Sequence, residues 1–308
     1  MSTAPPLRTL AAQAGGHAGT FKRLTALLSY LRGHPSAVVG AILIAGIVMM
    51  TLGFELVWSL DPLAQDLLGR LQPPAWQEAG AWAHPLGTDN LGRDVLARIL
   101  HGSRISLGIA ASAVLMAALA GTLLGLLAGY YGGTFDAVTM RVADVFLAYP
   151  FMLLTISVIA VLGTSIFNLI LVLGLSDWVI YARTMRGSVL SLRERDFVRS
   201  AHAIGASDAR ILARHILPNA LSPILVLATV RMASVIVWES GLSFLGMGAP
   251  PPTATWGRML AEGRSYITDA WWLVTLPGIA IMLTILAINL FGDGMRDALD
   301  PRIRNSIR

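Results

Sequence analysis

The sequence predicts an all-α, polytopic membrane protein with six transmembrane helices, and three observations carry that prediction. Of its 308 residues, 55% are hydrophobic and 13% charged, whereas a soluble domain carries about 25% charged residues. Mean hydropathy is +0.65. Stretches free of Asp, Glu, Lys and Arg run for 22 residues (33–54), 31 (105–135), 32 (145–176) and 23 (270–292), each longer than the roughly 20 residues that cross a hydrocarbon core.

Taken in order, residues 1–35 form a cytoplasmic tail and span one covers 36–57. This first apolar run starts too late and is too long for a signal peptide, so it reads as a retained anchor. Residues 58–104 form an extracytoplasmic segment, and span two follows at 105–130. The 32-residue run is too long for one helix, and Gly163-Thr164-Ser165 divides it into span three (142–162) and span four (166–183). A cytoplasmic loop (184–218) leads to span five at 219–245, which is interrupted only by Arg231 and Glu239. Span six covers 270–292, and 293–308 is a second cytoplasmic tail. Residues 105–292 are thus a five-helix core, with kinks expected at Pro150, Pro223 and Pro277.

Charge sets the orientation. With both termini inside, 16 Lys and Arg fall on the cytoplasmic side, 6 outside, and Arg231 within a span, as the positive-inside rule requires. Trp58, Trp256, Trp271 and Trp272 then fall at outer boundaries, where lipid anchoring is the expected role.

Within the spans, Gly121, Gly125, Gly129 and Gly133 recur every four residues, a bare helix face that admits a second backbone. Arg231 lies 12 residues into span five, about 18 Å along the helix and near mid-membrane. A charge there faces protein or water, and Arg231 is a candidate for lining a polar route, with a structural ion pair as the alternative. Glu239 is a second candidate; it stands about 12 Å further on and about 80° around the helix, so the two cannot pair with each other. Asp144 is expected to pair with Arg141, and Asp177 has no evident partner.

Several chemistries drop out. There is no cysteine, and the one lysine, Lys22, is not in a Gly-Lys-Ser/Thr loop, so the chain has no phosphate-cradling P-loop of its own. The six histidines form no metal-ligating pattern, no nucleophile elbow occurs, and no metal or catalytic site is expected. The pI near 10.1 comes from arginines beside apolar runs, so nucleic acid is not an expected partner.

In the loop between spans four and five, two helical pieces meet at Gly205. Ser207 or Asp208 is placed to cap the second, and Pro218 opens the next span. A short helix projecting into the cytoplasm has the form of a docking element. The small pair Ser200-Ala201, then Gly205, then Leu217 and Pro218, with Pro218 thirteen residues beyond the glycine, resembles the EAA loop of permease subunits of ABC importers. The motif's acidic residue aligns here with Arg199 and its first alanine with Ser200.

Three further stretches resemble the dipeptide/oligopeptide/nickel branch, DppC/OppC type. They are His84-Pro85-Leu86-Gly87-Thr88-Asp89-Asn90-Leu91-Gly92-Arg93-Asp94; Gly241-Leu242-Ser243-Phe244-Leu245-Gly246 with Pro250-Pro251-Pro252 and Trp256-Gly257; and Asn289-Leu290-Phe291-Gly292-Asp293-Gly294 with Leu299-Asp300-Pro301-Arg302. Physically, the first is a turn-rich, solvated entry to a helix with Thr88 or Asp89 able to cap, and residues 250–264 form a stiff loop able to present a surface.

The resemblance implies a type I ABC importer permease fold in a bacterial inner membrane. It also implies a homologous second permease, two cytoplasmic ATPases holding Mg-ATP, an extracytoplasmic solute-binding protein and no cofactor on this chain. Ala201, Ala203, Gly205, Asp208, Arg210, Leu217 and Pro218 are the residues expected to couple to an ATPase. Di- or oligopeptides are the implied substrates, with nickel or a metal chelate, glutathione or an opine as alternatives within the family. An ion-gradient-driven secondary transporter is the alternative from another class, and it would be expected to show inverted repeats, of which none is evident.

Overall fold

The computed structural model describes residues 35–57 and 61–299. Its helices are α1 (Pro35–Val57), α2 (Val95–Tyr131), α3 (Gly133–Ala148), α4 (Phe151–Leu162), α5 (Ile166–Arg193), α6 (Asp196–Ala203), α7 (Asp208–Ile211), α8 (Leu217–Phe244), α9 (Trp256–Gly263) and α10 (Trp272–Leu299). A π-helical stretch, Leu212–Ile216, joins α7 to α8. Among the described residues, five helices are long and apolar enough to cross a membrane, or six where α3 and α4, bent by 90°, are counted together as one broken span.

That bend goes beyond the kink expected at Pro150 within the span 142–162. Proline disfavours helical backbone in the residue before it, and Tyr149 is extended (φ −94°, ψ 137°). Helix α3 therefore stops, and Pro150 begins α4. The break at 163–165 falls where expected, with Gly163 at φ +82° and Ser165 capping α5 by accepting from the Asn168 amide. Other boundaries move outward: α3 begins at Gly133 rather than 142, and α10 runs to Leu299 rather than 292. Helix α2 starts at Val95 rather than 105, because Asp94 caps it by accepting from Ala97, and α5 runs on to Arg193 rather than stopping at 183.

Helix α2 lies along α5, and the glycine row makes this possible. A Cβ at Gly125 would collide with the Ala182 carbonyl, one at Gly121 with the Trp178 carbonyl, and one at Gly129 with Val189. Gly174 of α5 returns the contact against Met116 and the Ala113 carbonyl. Gly133 does not belong to this face; it starts α3 at φ +60° with open space around it. Helices α4, α5, α8 and α10 close a central core around Ile109, Leu173, Ile236 and Ile281. Helix α1 packs on α10, where Gly40 meets the Phe291 backbone and Gly294 meets Ala37.

The tryptophans depart from the expected lipid belt. Trp256 and Trp272 are buried because their indole N–H groups donate inward, to the Ile99 carbonyl (3.0 Å) and the Thr88 carbonyl (3.1 Å). Trp271 is partly exposed, and Trp58 lies outside the described residues. Among the described residues the most exposed indoles are those of Trp82 and Trp76, in the segment between α1 and α2.

Candidate functional site: cytoplasmic loop, buried charge pair and outer ion-pair knot

The loop between α5 and α8 is anchored from beneath. Val198 and Ala201 of α6, Ile211 of α7, and Leu212 and Ile216 of the π stretch are buried against Leu126, Tyr181, Met185 and Val189. Gly205, at φ +78°, reverses the chain between α6 and α7, a conformation that favours glycine. Ser207 is the N-cap of α7 by backbone position, without a side-chain cap bond. The expected coupling residues divide by exposure: Ala201 is buried, Leu217 half-buried, and Ala203, Gly205, Asp208, Arg210 and Pro218 face outward.

Sequence reading passed over three residues here. Ile204 is 85% exposed at the apex of the turn. Tyr130, at the end of α2, donates from Oη to Asp208 Oδ1 (2.7 Å). The Tyr130 ring also stacks on His202, with centroids 6.2 Å apart. The signal for Ile204 was an isolated large apolar side chain in a polar loop; nothing local pointed to Tyr130. Alongside, Arg193 Nη1 donates to the Gly129 carbonyl (3.2 Å), and Arg186 grips Asp136 through two bonds of 2.5 and 2.6 Å.

In the core, Arg231 of α8 and Asp177 of α5 pair at 2.7 Å (Nη2 to Oδ1), so each supplies the partner the sequence left open. The Arg231 guanidinium lies 5.3 Å from the Trp238 ring centroid, and Trp238 lies 4.1 Å from the Phe151 ring. Asp177 Oδ2, Arg231 Nε and Tyr181 Oη are buried without a hydrogen-bond partner.

Glu239 sits elsewhere. It is fully buried, accepts from Ser243 Oγ at 2.8 Å, and has the hydroxyls of Ser106, Ser240 and Thr255 around it. The structure thus separates the two residues expected to share a pathway: Arg231 faces α5, and Glu239 the junction of α2, α8 and α9. Asp144 pairs with Arg183 at 2.6 Å, across to α5, and more loosely, at 4.0 Å, with Arg141, the partner expected.

Ahead of α2, residues 84–94 are not the solvated loop expected; Thr88, Asp89, Arg93 and Asp94 are buried. Gly87 and Gly92 take positive φ, and a Cβ at Gly92 would strike the Asp66 backbone. Asp89 accepts from the Leu91 and Arg93 amides (2.8 and 3.0 Å), from Arg93 Nε (2.7 Å) and from Arg98 Nη1. Glu262 of α9 completes the knot, accepting from Arg93 (3.1 Å), Arg98 (2.8 Å) and Arg258 (2.8 Å). Burial alone would push the Glu262 carboxyl up, but the facing arginines, Arg98 foremost, hold it below its ordinary value. Residues 250–264 are accordingly only partly a presented loop, since α9 turns Trp256, Gly257, Met259 and Gly263 inward.

Comparison with known proteins bears on all three regions. The family described as "Binding-protein-dependent transport system inner membrane component" matches residues 121–305. The chain is 42% identical over 270 residues to the di/tripeptide transport system permease protein DppC of Pseudomonas aeruginosa, covering 88% of this chain and 89% of that protein. It is 40% identical over 275 residues to the dipeptide transport system permease protein DppC of Haemophilus influenzae (89% and 93% covered). It is 41% identical over 261 residues to the glutathione transport system permease protein GsiD of Pectobacterium atrosepticum (85% and 87% covered). Among solved structures, an inward-facing MetNI methionine ABC transporter superposes with a TM-score of 0.52 at 16% identity, covering 66% of this chain and 96% of that one, a likeness of fold.

Proposed function

The chain belongs to the binding-protein-dependent transport system inner membrane components, and on that premise we propose that it forms half of an import pathway for di- or oligopeptides. It is a permease subunit of an ABC importer, not an enzyme; ATP hydrolysis belongs to partner ATPase subunits, and a second permease is its membrane partner. Mg-ATP is held on those ATPases, and an extracytoplasmic solute-binding protein delivers the peptide to the outer face. Both termini lie in the cytoplasm, as the arginine distribution supports.

One observation carries the coupling role. The turn at 203–208 is exposed and carries Ile204 at its apex, while the helices on either side are fixed by Val198, Ala201 and Ile211 in an apolar core shared with α2 and α5. Such a turn seats in a groove of an ATPase, and a push on it moves the transmembrane helices rather than a loose loop. The dipeptide and di/tripeptide permeases at 40–42% identity support the substrate class. The glutathione permease at 41% makes glutathione, itself a tripeptide, the second candidate.

The test is ATP hydrolysis by the complete complex in lipid nanodiscs, with peptide-loaded binding protein added. Stimulation by dipeptides is expected, falling at least tenfold in Ile204→Asp, a substitution that touches no buried contact. Full stimulation in that variant overturns the coupling role, and stimulation by glutathione alone moves the substrate assignment.

A further inference from the structure

We propose that Asp177 and Arg231 form a subsite for the two termini of a zwitterionic peptide, occupied when the pair separates; this deepens the proposed peptide import and rests on it. In the structure the two side chains bridge α5 and α8 at 2.7 Å, with 4% and 21% of their surfaces exposed. A pair serving only to hold two helices together is expected to satisfy its remaining polar atoms, because orphaned buried groups are costly. Asp177 Oδ2, Arg231 Nε and Tyr181 Oη are all left without a partner around this one pair, whereas the Asp89–Arg93–Arg98–Glu262 knot, with more charges, leaves only Arg98 Nε.

The surroundings match the same chemistry. Trp238 lies seven residues beyond Arg231 on α8 and faces its guanidinium. The 90° break before α4 brings Phe151 against that indole. Broken backbone within a membrane is tolerated where it is buried in protein or lines a cavity, and this break lies beside the charge pair. Two aromatic faces with one anion and one cation present what a short peptide's backbone and side chains need.

Charge balance selects the ligand class. Drawing Arg231 away with a lone anion leaves Asp177 buried and unpaired, which is strongly destabilising. A zwitterion exchanges both partners in one event: its carboxylate replaces Asp177 at Arg231, and its ammonium replaces Arg231 at Asp177. Peptides lacking either free terminus are therefore excluded.

The experiment uses the complete complex in proteoliposomes and reads dipeptide imported per ATP hydrolysed. In the double variant Asp177→Leu/Arg231→Met, which removes both charges together, that ratio is expected to fall at least tenfold. An unchanged ratio in an assembled complex overturns the subsite. A second measurement needs no variant. The photoreactive dipeptide alanyl-p-benzoylphenylalanine is added to wild-type complex without binding protein, so that protein's own recognition of termini does not enter. Cross-links to α8 near Trp238 or to α4 near Phe151 are expected, and they are expected to vanish for the N-acetylated and C-amidated analogues; equal labelling by the blocked analogues overturns the proposal. Loss of ATPase stimulation by loaded binding protein in the wild type would instead strike the import reading itself, so the two failures are distinguishable.

Discussion

Arg98 is 2% exposed and carries a full charge between Asp89 and Glu262. Removing one partner from such a cluster leaves buried charge uncompensated, so Arg98→Met is expected to cost roughly 3–5 kcal/mol, read as a loss of thermal stability in purified protein. Acid acts on the same cluster. The Glu262 carboxyl sits below its ordinary value, so its stabilisation is complete above about pH 4.3, the unfolded value, and is lost as pH falls through the lower folded one. The melting temperature of the wild type is therefore expected to drop on acidification by more than that of Glu262→Gln, which starts lower and titrates nothing at that position. Neither this knot nor the core pair was legible as a pairing. Glu262 lies 164 residues from Arg98, and sequence carries no sign of contacts at that range. For Asp177 and Arg231 a signal did exist: Asp177 was an acid without a partner in span four, and Arg231 was the one base within the adjacent span five.

At the level of elements, spacing was the better guide. The glycine row on α2 announced a close helix–helix approach, and the structure supplies α5 as the neighbour. Gly125→Leu forces a side chain into the Ala182 backbone, and overpacking of this kind costs typically 1–3 kcal/mol; the complex is expected to lose yield and thermal stability, while the same change at Gly108, on the same helix with open space around it, is expected to spare helix packing. Gly133 was misassigned because a four-residue spacing says nothing of where a helix ends, and α2 ends at Tyr131. The break at Pro150 was half legible. Proline was read as a kink, whereas the extended Tyr149 before it ends the helix outright. Trp256 and Trp272 were misplaced for a different reason: amphipathic rings suit a lipid interface and a buried carbonyl partner equally, and only tertiary structure chooses.

Across the whole molecule, the long apolar helices and the exposed turn between α6 and α7 were legible in composition, charge and the placement of Gly205, because hydrocarbon thickness fixes span length. How the segment between α1 and α2 folds did not follow, since it is built from turns and long-range ion pairs. The chain has no cysteine, so one placed at position 204 reports on a single surface. Ile204→Cys is expected to react quickly with a maleimide in the isolated permease and at least tenfold more slowly once ATPase subunits are bound; equal rates would move the docking surface away from this turn.

Helix α2 gives the molecule a lever. One unbroken run of 37 residues, about 55 Å at 1.5 Å per residue, is clamped at its outer end by Arg98 in the ion-pair knot and at its inner end by Tyr130 on Asp208. Tilting a bar of that length by about 5° swings its far end by about 5 Å, close to one helical turn. Under the proposed coupling, a small rotation at the turn that holds Asp208 arrives at the opposite end of α2 as a displacement on the scale of an amino-acid residue.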